Sequence, residues 1–276
     1  MIKKTYRFVI RPFKKALKKR RRYQETDAFL ISYPKCGRTW LRMMIGVALK
    51  HEFTLTRDDP TGLYKLTCGD DRIPTLDVVH EGRPDEKSSR EIEGSSKRGF
   101  REKRVIFLVR DPRDAVVSNY FESTKRVNTY SGTISEFIRR RRGGVDSIIA
   151  YFNVWARRRD VPRAFLLVTY EQLHNDAHGQ LRRVFEFLSL PDISDEAIAA
   201  AVEAGSFRNM RAVEQDESVA TKRLSPGRSD DPESYKVRKG KVGGYHEYLT
   251  DDDVRYLNER IDAQLHELYA PYRTAH

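Results

Sequence analysis

The sequence predicts one α/β domain, a central and mostly parallel β-sheet with helices on both faces. Three observations carry this. Four short β-rich runs recur, at Ala28 to Tyr33, Thr75 to His80, Val105 to Val109 and Phe165 to Thr169. The third and fourth are almost wholly apolar, as strands buried on both faces of a parallel sheet are. Helical periodicities fall between and after the runs, and strands alternating with helices define this architecture.

Each helix has its own local reason. After the first run, Leu41, Met44, Ile45, Ala48 and Leu49 recur at the steps of one helix face. After the third run, Asp111-Pro112 supplies a cap and a first-turn proline, with Ala115, Val116 and Tyr120 behind them. Ile148, Ile149, Phe152 and Trp155 line the next helix, and Leu181, Val184, Phe185 and Leu188 the one after the fourth run. Thr250 and three aspartates open a last helix bearing Val254, Leu257, Ile261, Leu265 and Leu268. Two polar segments, about 81–103 and about 214–237, are long for simple connections and so read as mobile or functional. The second leads into Arg238-Lys239-Gly240 and reads as a candidate lid.

Composition narrows the function classes. In 276 residues, 39 % hydrophobic content gathered in compact runs supports a core and excludes a disordered chain. No apolar run is long enough to span a bilayer. Two cysteines, Cys36 and Cys68, cannot form a disulfide framework and point to a reducing, cytoplasmic setting. The net charge of +12 is unevenly spread: of 52 basic residues, 11 lie in residues 1–22 with no acid, leaving 41 against 40 acids. The body is nearly neutral, which argues against a nucleic-acid-binding face on the fold.

The sequence therefore divides into a basic tail, 1–24, and a domain, 25–276. In the tail Ile2, Tyr6, Val9, Ile10, Phe13, Ala16 and Leu17 make one helical stripe among the cations, with Pro12 as a kink or restart. It lacks the apolar core and cleavage site of a secretory signal. A basic amphipathic helix suits an anionic membrane, here the inner surface. A solvated charge run, a helix packed on the body and a transit peptide fit the same residues.

Ligands of open parallel sheets bind beyond the carboxyl ends of the strands. The first run leads into Pro34-Lys35-Cys36-Gly37-Arg38-Thr39-Trp40, the second ends on His80, the third on Arg110 and the fourth on Tyr170-Glu171. A strand, a short loop with Gly37 and a helix start present backbone N–H groups to an anion. Lys35, Arg38 and Thr39 add donors, although spacing alone fits an ordinary turn equally well. The loop is not a Walker A motif, because its lysine precedes the glycine. Arg110, with Ser118 seven residues on and on the same helix face, suggests a second phosphate site that Arg238-Lys239-Gly240 could close.

These three segments resemble the cytosolic-type, PAPS-dependent sulfotransferases, most nearly bacterial members. Tyr33 to Trp40 is similar to their 5′-phosphosulfate loop, Val105 to Asp114 with Ser118 to their 3′-phosphate strand and helix, and Arg238 to Gly243 to their Arg-Lys-Gly motif. The resemblance implies a single P-loop-like three-layer domain. It implies 3′-phosphoadenosine 5′-phosphosulfate (PAPS) as co-substrate, no metal, and a hydroxyl or amine acceptor. By position it assigns Lys35 to the leaving phosphate and sulfuryl group, and the Gly37 to Trp40 backbone with the Thr39 hydroxyl to the 5′-phosphate. Cys36 and Arg38 share that loop. Trp40 and Phe207 would sandwich the adenine, with Ser206 and Tyr170 beside it. Arg110, Ser118, Arg238, Lys239 and Gly240 would hold the 3′-phosphate, and His80 would be the general base. In-line sulfuryl transfer suits this set, because positioning and electrostatics carry such a displacement and an imidazole titrates near neutrality.

The sequence also departs from the family pattern. Cys36 replaces a serine, Arg38 a small residue, and Gly244-Tyr245 an Asp-Trp pair; Val78 stands where many relatives have a lysine. Glu81 is a reserve base. Cys36 to Arg42 also reads Cys-x5-Arg, the order of a cysteine phosphatase, though Trp40 and Leu41 crowd that loop. A membrane-tethered nucleotide-binding protein without a working base is the non-enzymatic alternative. The acceptor, small molecule, lipid or glycan, is not readable: aromatics such as Phe121, Tyr130, Phe152 and Tyr248 could line its pocket, but core packing is the default reading for any one of them.

Overall fold

The computed structural model describes residues 16–79, 81–216, 224 and 231–274. His80 and residues 1–15 of the tail lie outside the described residues, as does most of the candidate lid. Four strands form one sheet: β1 (Ala28–Ser32), β2 (Leu76–Val79), β3 (Arg104–Val109) and β4 (Ala164–Thr169). Their order is β2-β1-β3-β4 and every pairing is parallel, with Ala28 opposite both Leu76 and Arg104, and Arg104 opposite Ala164. All four predicted strands are present, to within two residues at their ends. The predicted sheet is thus fully rather than mostly parallel.

The helices are α1 (16–25), α2 (Arg38–Phe53), α3 (Leu63–Thr67), α4 (Ser89–Glu93), α5 (Pro112–Phe121) and α6 (Ile134–Ile138). They continue with α7 (Val145–Arg157), α8 (Tyr170–Asn175), α9 (Ala177–Phe187), α10 (Asp195–Ala204), α11 (Phe207–Gln215) and α12 (Asp251–Gln264). The predicted caps are made. Asp111 accepts the N–H of Arg113 at the start of α5, and Thr250 forms a capping box with Asp253 at α12. Such a cap contributes about 1 kcal/mol. The last predicted positions, Leu265 and Leu268, fall just past the end of α12 because Leu265 is already extended.

Chain order and handedness produce the layers. From β1 the chain moves one way to β2, and from β3 the other way to β4. Right-handed crossovers therefore put α2 on one face and α5 and α7 on the other. The packing agrees: α2 packs on α10 and α10 on α9, whereas α7 packs on α4, α5 and α12. The core runs through both layers, with Phe29, Ile31, Phe107, Leu108, Phe152 and Trp155 inaccessible to solvent. Where the order reverses, between β1 and β3, the loops leaving the strands diverge and open a crevice.

Candidate active site

A cleft of about 630 Å³ occupies that crevice. Its wall includes Lys35, Gly37, Arg38, Thr39 and Trp40 from the first loop, and Arg110 and Ser118 from β3 and α5. It also includes Tyr170 from α8, Ser206 and Phe207 from the start of α11, and Arg238, Lys239 and Gly240 from the late loop. The three segments singled out in the sequence thus meet around one space. Eight basic and four acidic side chains line it, so positive charge is focused here although the body is almost neutral.

The floor is the turn from β1 into α2. Gly37 has φ 90°, and a Cβ there would lie 2.6 Å from the Tyr170 ring, so only glycine fits. No side chain caps α2, and its first turn holds no acid, leaving an anion as the natural complement of that helix start. Lys35 also has positive φ, 71°, unusual outside glycine, and its Nζ sits 2.6 Å from Glu122 Oε2. Glu122 opens a π-helical turn, Glu122–Arg126, that continues α5. Burial acts to raise the Glu122 carboxyl, but Lys35, Arg126 and Lys236 together hold it below its ordinary value. Arg38 donates to the carbonyls of Ser32 and Val79 at 3.3 and 3.2 Å, joining the ends of β1 and β2. Burial lowers its affinity for its proton.

The second wall is equally fixed. The Arg110 guanidinium lies over the Tyr170 ring, 4.3 Å from its centroid, and donates to the Lys241 carbonyl at 2.8 Å. Asp114, buried, accepts from the backbone N–H groups of Gly243 and Tyr245 at 2.9 and 3.0 Å and lies 3.3 Å from Arg110. That carboxylate pins the late loop to α5. Arg238 lies between the Phe121 and Tyr248 rings and donates to Glu233 and Tyr248, while Lys239 pairs with Glu247. Gly240 has φ 63°, and a Cβ there would come within 2.9 Å of Phe207. Phe207 is 48 % exposed, an open face on the rim. Trp40 meets Tyr170 edge-on at 5.3 Å. Trp40 Nε1 and Arg110 Nε are buried without a hydrogen-bond partner among the described residues. Unpartnered polar atoms and an exposed aromatic face suit a planar, anionic ligand.

Two expectations are corrected. Cys36 is fully buried, does not line the cleft, and its thiol is pushed up to about 12 by burial. Arg42 is buried and donates to the Thr61 carbonyl, away from the cleft. A protonated, enclosed thiol without its arginine cannot serve as a phosphatase nucleophile, so that reading falls, and Cys36 is no side-chain contact for a cofactor. Glu81 is not an open carboxylate. It accepts from Lys97 Nζ at 2.8 Å, Tyr151 OH at 2.8 Å and Trp155 Nε1 at 2.7 Å. As the core-packing reading has it, none of Phe121, Tyr130, Phe152 and Tyr248 lines the cleft. Phe152 packs in the core on Phe107 and Tyr269, and Tyr130 on Phe137.

Four cleft-building residues were given no role from the sequence: Asp114, Glu122, Glu214 and Lys236. Each acts on a partner far along the chain. Only Asp114, four residues after Arg110, was within reach of a local argument. Among the described residues no group of three His, Cys, Asp or Glu side chains is placed to hold a metal ion, and no helix is long and apolar enough to cross a membrane.

A cationic cleft at the switch point of a parallel sheet marks the ligand site of an α/β protein. Within that class the chain belongs to the sulfotransferase domain family, which it matches over residues 25–269. It is 28 % identical to rat sulfotransferase 2B1 over 253 residues, covering 89 % of this chain and 72 % of that protein. With flavonol 3-sulfotransferase of Flaveria bidentis it shares 24 % identity over 87 % of this chain and 81 % of the relative. The fold is similar to that of mouse sulfotransferase SULT7A1 complexed with PAP, at TM-score 0.62 and 21 % identity over 88 % and 86 % of the two chains. Retinol dehydratase in complex with androsterone and inactive cofactor PAP aligns with TM-score 0.62 and 17 % identity over 88 % and 81 %.

Proposed function

We propose that this sulfotransferase moves a sulfuryl group from PAPS to a hydroxyl or amine by in-line displacement. The observation that carries the reading is the convergence of the Lys35–Trp40 turn and the Arg110, Arg238 and Lys239 wall on one cleft. The α2 start, the Thr39 hydroxyl and Lys35 hold the 5′ end of the donor. Arg110, Ser118, Arg238, Lys239 and Gly240 hold the 3′-phosphate, and Trp40 and Phe207 take the adenine between them, with Ser206 and Tyr170 at its edge. Lys35 neutralises the charge that grows on the phosphate oxygen as its bond to sulfur breaks. His80, next after β2, takes the proton of the acceptor as its oxygen or nitrogen bonds to sulfur. The donor supplies the activated sulfuryl group; the chain supplies alignment and charge.

Calorimetric titration with adenosine 3′,5′-bisphosphate (PAP), AMP and ATP tests the donor. PAP is expected to bind tightly and AMP at least about tenfold more weakly, since charge-assisted contacts to the 3′-phosphate are lost. Arg110→Ala is expected to narrow that gap. Equal affinity for PAP and AMP rejects the assignment of the 3′ wall.

We place the protein on the cytoplasmic side of a membrane through its tail. Support comes from α1, where Lys18, Lys19, Arg20 and Arg21 are exposed beside Leu17, itself 49 % exposed. Arg22 pairs with Asp77 of β2, which fixes α1 on the body. The full chain is expected to co-sediment with anionic vesicles and to be released by salt. A variant lacking residues 1–17, which keeps Arg22 on Asp77, is expected to stay in solution. Equal sedimentation of both proteins overturns the membrane role of the tail. A lipid or glycan acceptor presented at that surface fits the same arrangement.

A further inference from the structure

The segment that carries Arg238, Lys239 and Gly240 is held at both ends by buried carboxylates. At its far end Asp114 accepts from the N–H groups of Gly243 and Tyr245. At its near end Glu214 on α11, 1 % exposed, accepts from the N–H groups of Lys236 and Val237 at 2.6 and 2.9 Å. Arg211, one turn earlier on that helix, donates to the Val237 carbonyl at 2.7 Å, and its guanidinium lies 3.5 Å from the Tyr235 ring centroid. Both polar groups of the Val237 backbone are therefore bound by α11, and Arg238 is the next residue. Residues 238–242 hang between these two fastenings. Their middle is constrained as well, since Gly240 lies too close to Phe207 for a side chain.

Glu214 is not part of the cleft wall. A carboxylate is costly to bury unless hydrogen bonds and a counter-charge offset the cost. Here two backbone donors and the Arg126 guanidinium, 3.4 Å away, do so. Each N–H has its own oxygen: Oε1 takes Lys236 and Oε2 takes Val237. No uncharged side chain of the same length offers two acceptor oxygens. The arrangement has a consequence for the cleft. A loop whose backbone is free loses conformational freedom on gripping a phosphate, and that loss is subtracted from affinity. A backbone fixed beforehand removes the loss.

We propose that Glu214 is a positioning residue for the 3′-phosphate. From behind the wall it fixes the backbone that delivers Arg238 and Lys239, opposite the fastening made by Asp114. It thereby sets the preference of the cleft for a 3′-phosphorylated nucleotide without touching one. The proposal rests on the donor reading above and adds a residue outside the site to it. Because α11 opens with Phe207 and ends on Glu214, one helix orders the adenine contact and the 3′ contact together.

The test is calorimetry with PAP and with AMP on the full chain, for the parent protein, Glu214→Gln, Arg211→Met and a control, Lys97→Met, which breaks a buried ion pair elsewhere in the fold. Glu214→Gln keeps the shape of the side chain but leaves one of the two N–H groups without an acceptor. It is expected to weaken PAP binding about tenfold and AMP binding less than about twofold. Arg211→Met is expected to act in the same direction. Lys97→Met is expected to keep the parent ratio of the two affinities, because a loss of general stability moves both together. In turnover, Glu214→Gln is expected to raise the KM for PAPS about tenfold and to change kcat less than about threefold, since the reacting sulfur lies at the other end of the donor. Equal weakening of PAP and AMP in Glu214→Gln, or no weakening of either, overturns the role of Glu214 and leaves the donor reading to the parent protein's preference for PAP. No such preference in the parent protein removes both. Should Glu214→Gln fail to fold, the ratio measured on Arg211→Met decides by the same two outcomes.

Discussion

Replacing Lys35 with alanine is expected to lower kcat by about 10²–10³-fold, the usual loss when one preorganised donor to a developing anion is removed. The expectation rests on where the side chain is held. Lys35 adopts positive φ, and its amino group is fixed by Glu122 at the lip of the α2 start. On the donor reading proposed above, that places it at the 5′ end of the donor. In the ground state the phosphosulfate carries its charge on peripheral oxygens. As the sulfur–oxygen bond breaks, charge builds on the bridging oxygen, and a cation there gains in the transition state what it does not gain before it. PAP affinity is expected to fall much less than turnover. Steady-state kinetics with calorimetry on Lys35→Ala separates the two, and a pure rise in KM with kcat unchanged would show that Lys35 only binds. Glu122 adds a second edge to this result. It must release Lys35, at least in part, as the donor enters. Glu122→Gln therefore tightens donor binding if the ion pair competes with it.

How much of this could be read from residues alone depends on the range of each interaction. The sheet was legible because β3 and β4 are apolar on both faces, and α5 because Asp111-Pro112 is a local cap. The anion sites were legible because each motif sits at a strand end, where α/β topology exposes it. Their meeting was predictable only from strand order, since β1 and β3 must be neighbours for Lys35 and Arg110 to share a cleft. What stayed hidden was the fastening. Asp114 reaches the N–H groups of Gly243 and Tyr245, and Glu214 those of Lys236 and Val237. A buried carboxylate that accepts from distant backbone looks like any other acid in a sequence. The phosphatase alternative at Cys36 fails for the same reason. Its spacing to Arg42 was right for a phosphatase, but spacing does not report which side of a turn a side chain takes.

The largest loss of turnover is expected from His80→Ala, about 10²–10⁴-fold in kcat with PAP affinity and melting temperature nearly unchanged. The residues on either side are themselves held. Val79 ends β2 with its carbonyl held by Arg38, and Glu81, at φ 38°, is anchored by Lys97, Tyr151 and Trp155. Glu81 thereby acts as a clamp on the chain next to His80, with both of its oxygens already accepting hydrogen bonds. The two roles give opposite signatures. Lys97 is sealed from solvent and lies 4.7 Å over the Trp155 ring, so Lys97→Met strips the half-buried Glu81 of its counter-ion. It is expected to cost about 3–5 kcal/mol of stability. His80→Ala is expected to spare stability and stop the chemistry, whereas Lys97→Met spares the base and loosens its mount. Thermal unfolding measured beside turnover distinguishes them. Full activity in His80→Ala would move the proton acceptor to another group. Loss of activity in Glu81→Gln at unchanged melting temperature would identify Glu81 as that group despite its three hydrogen bonds.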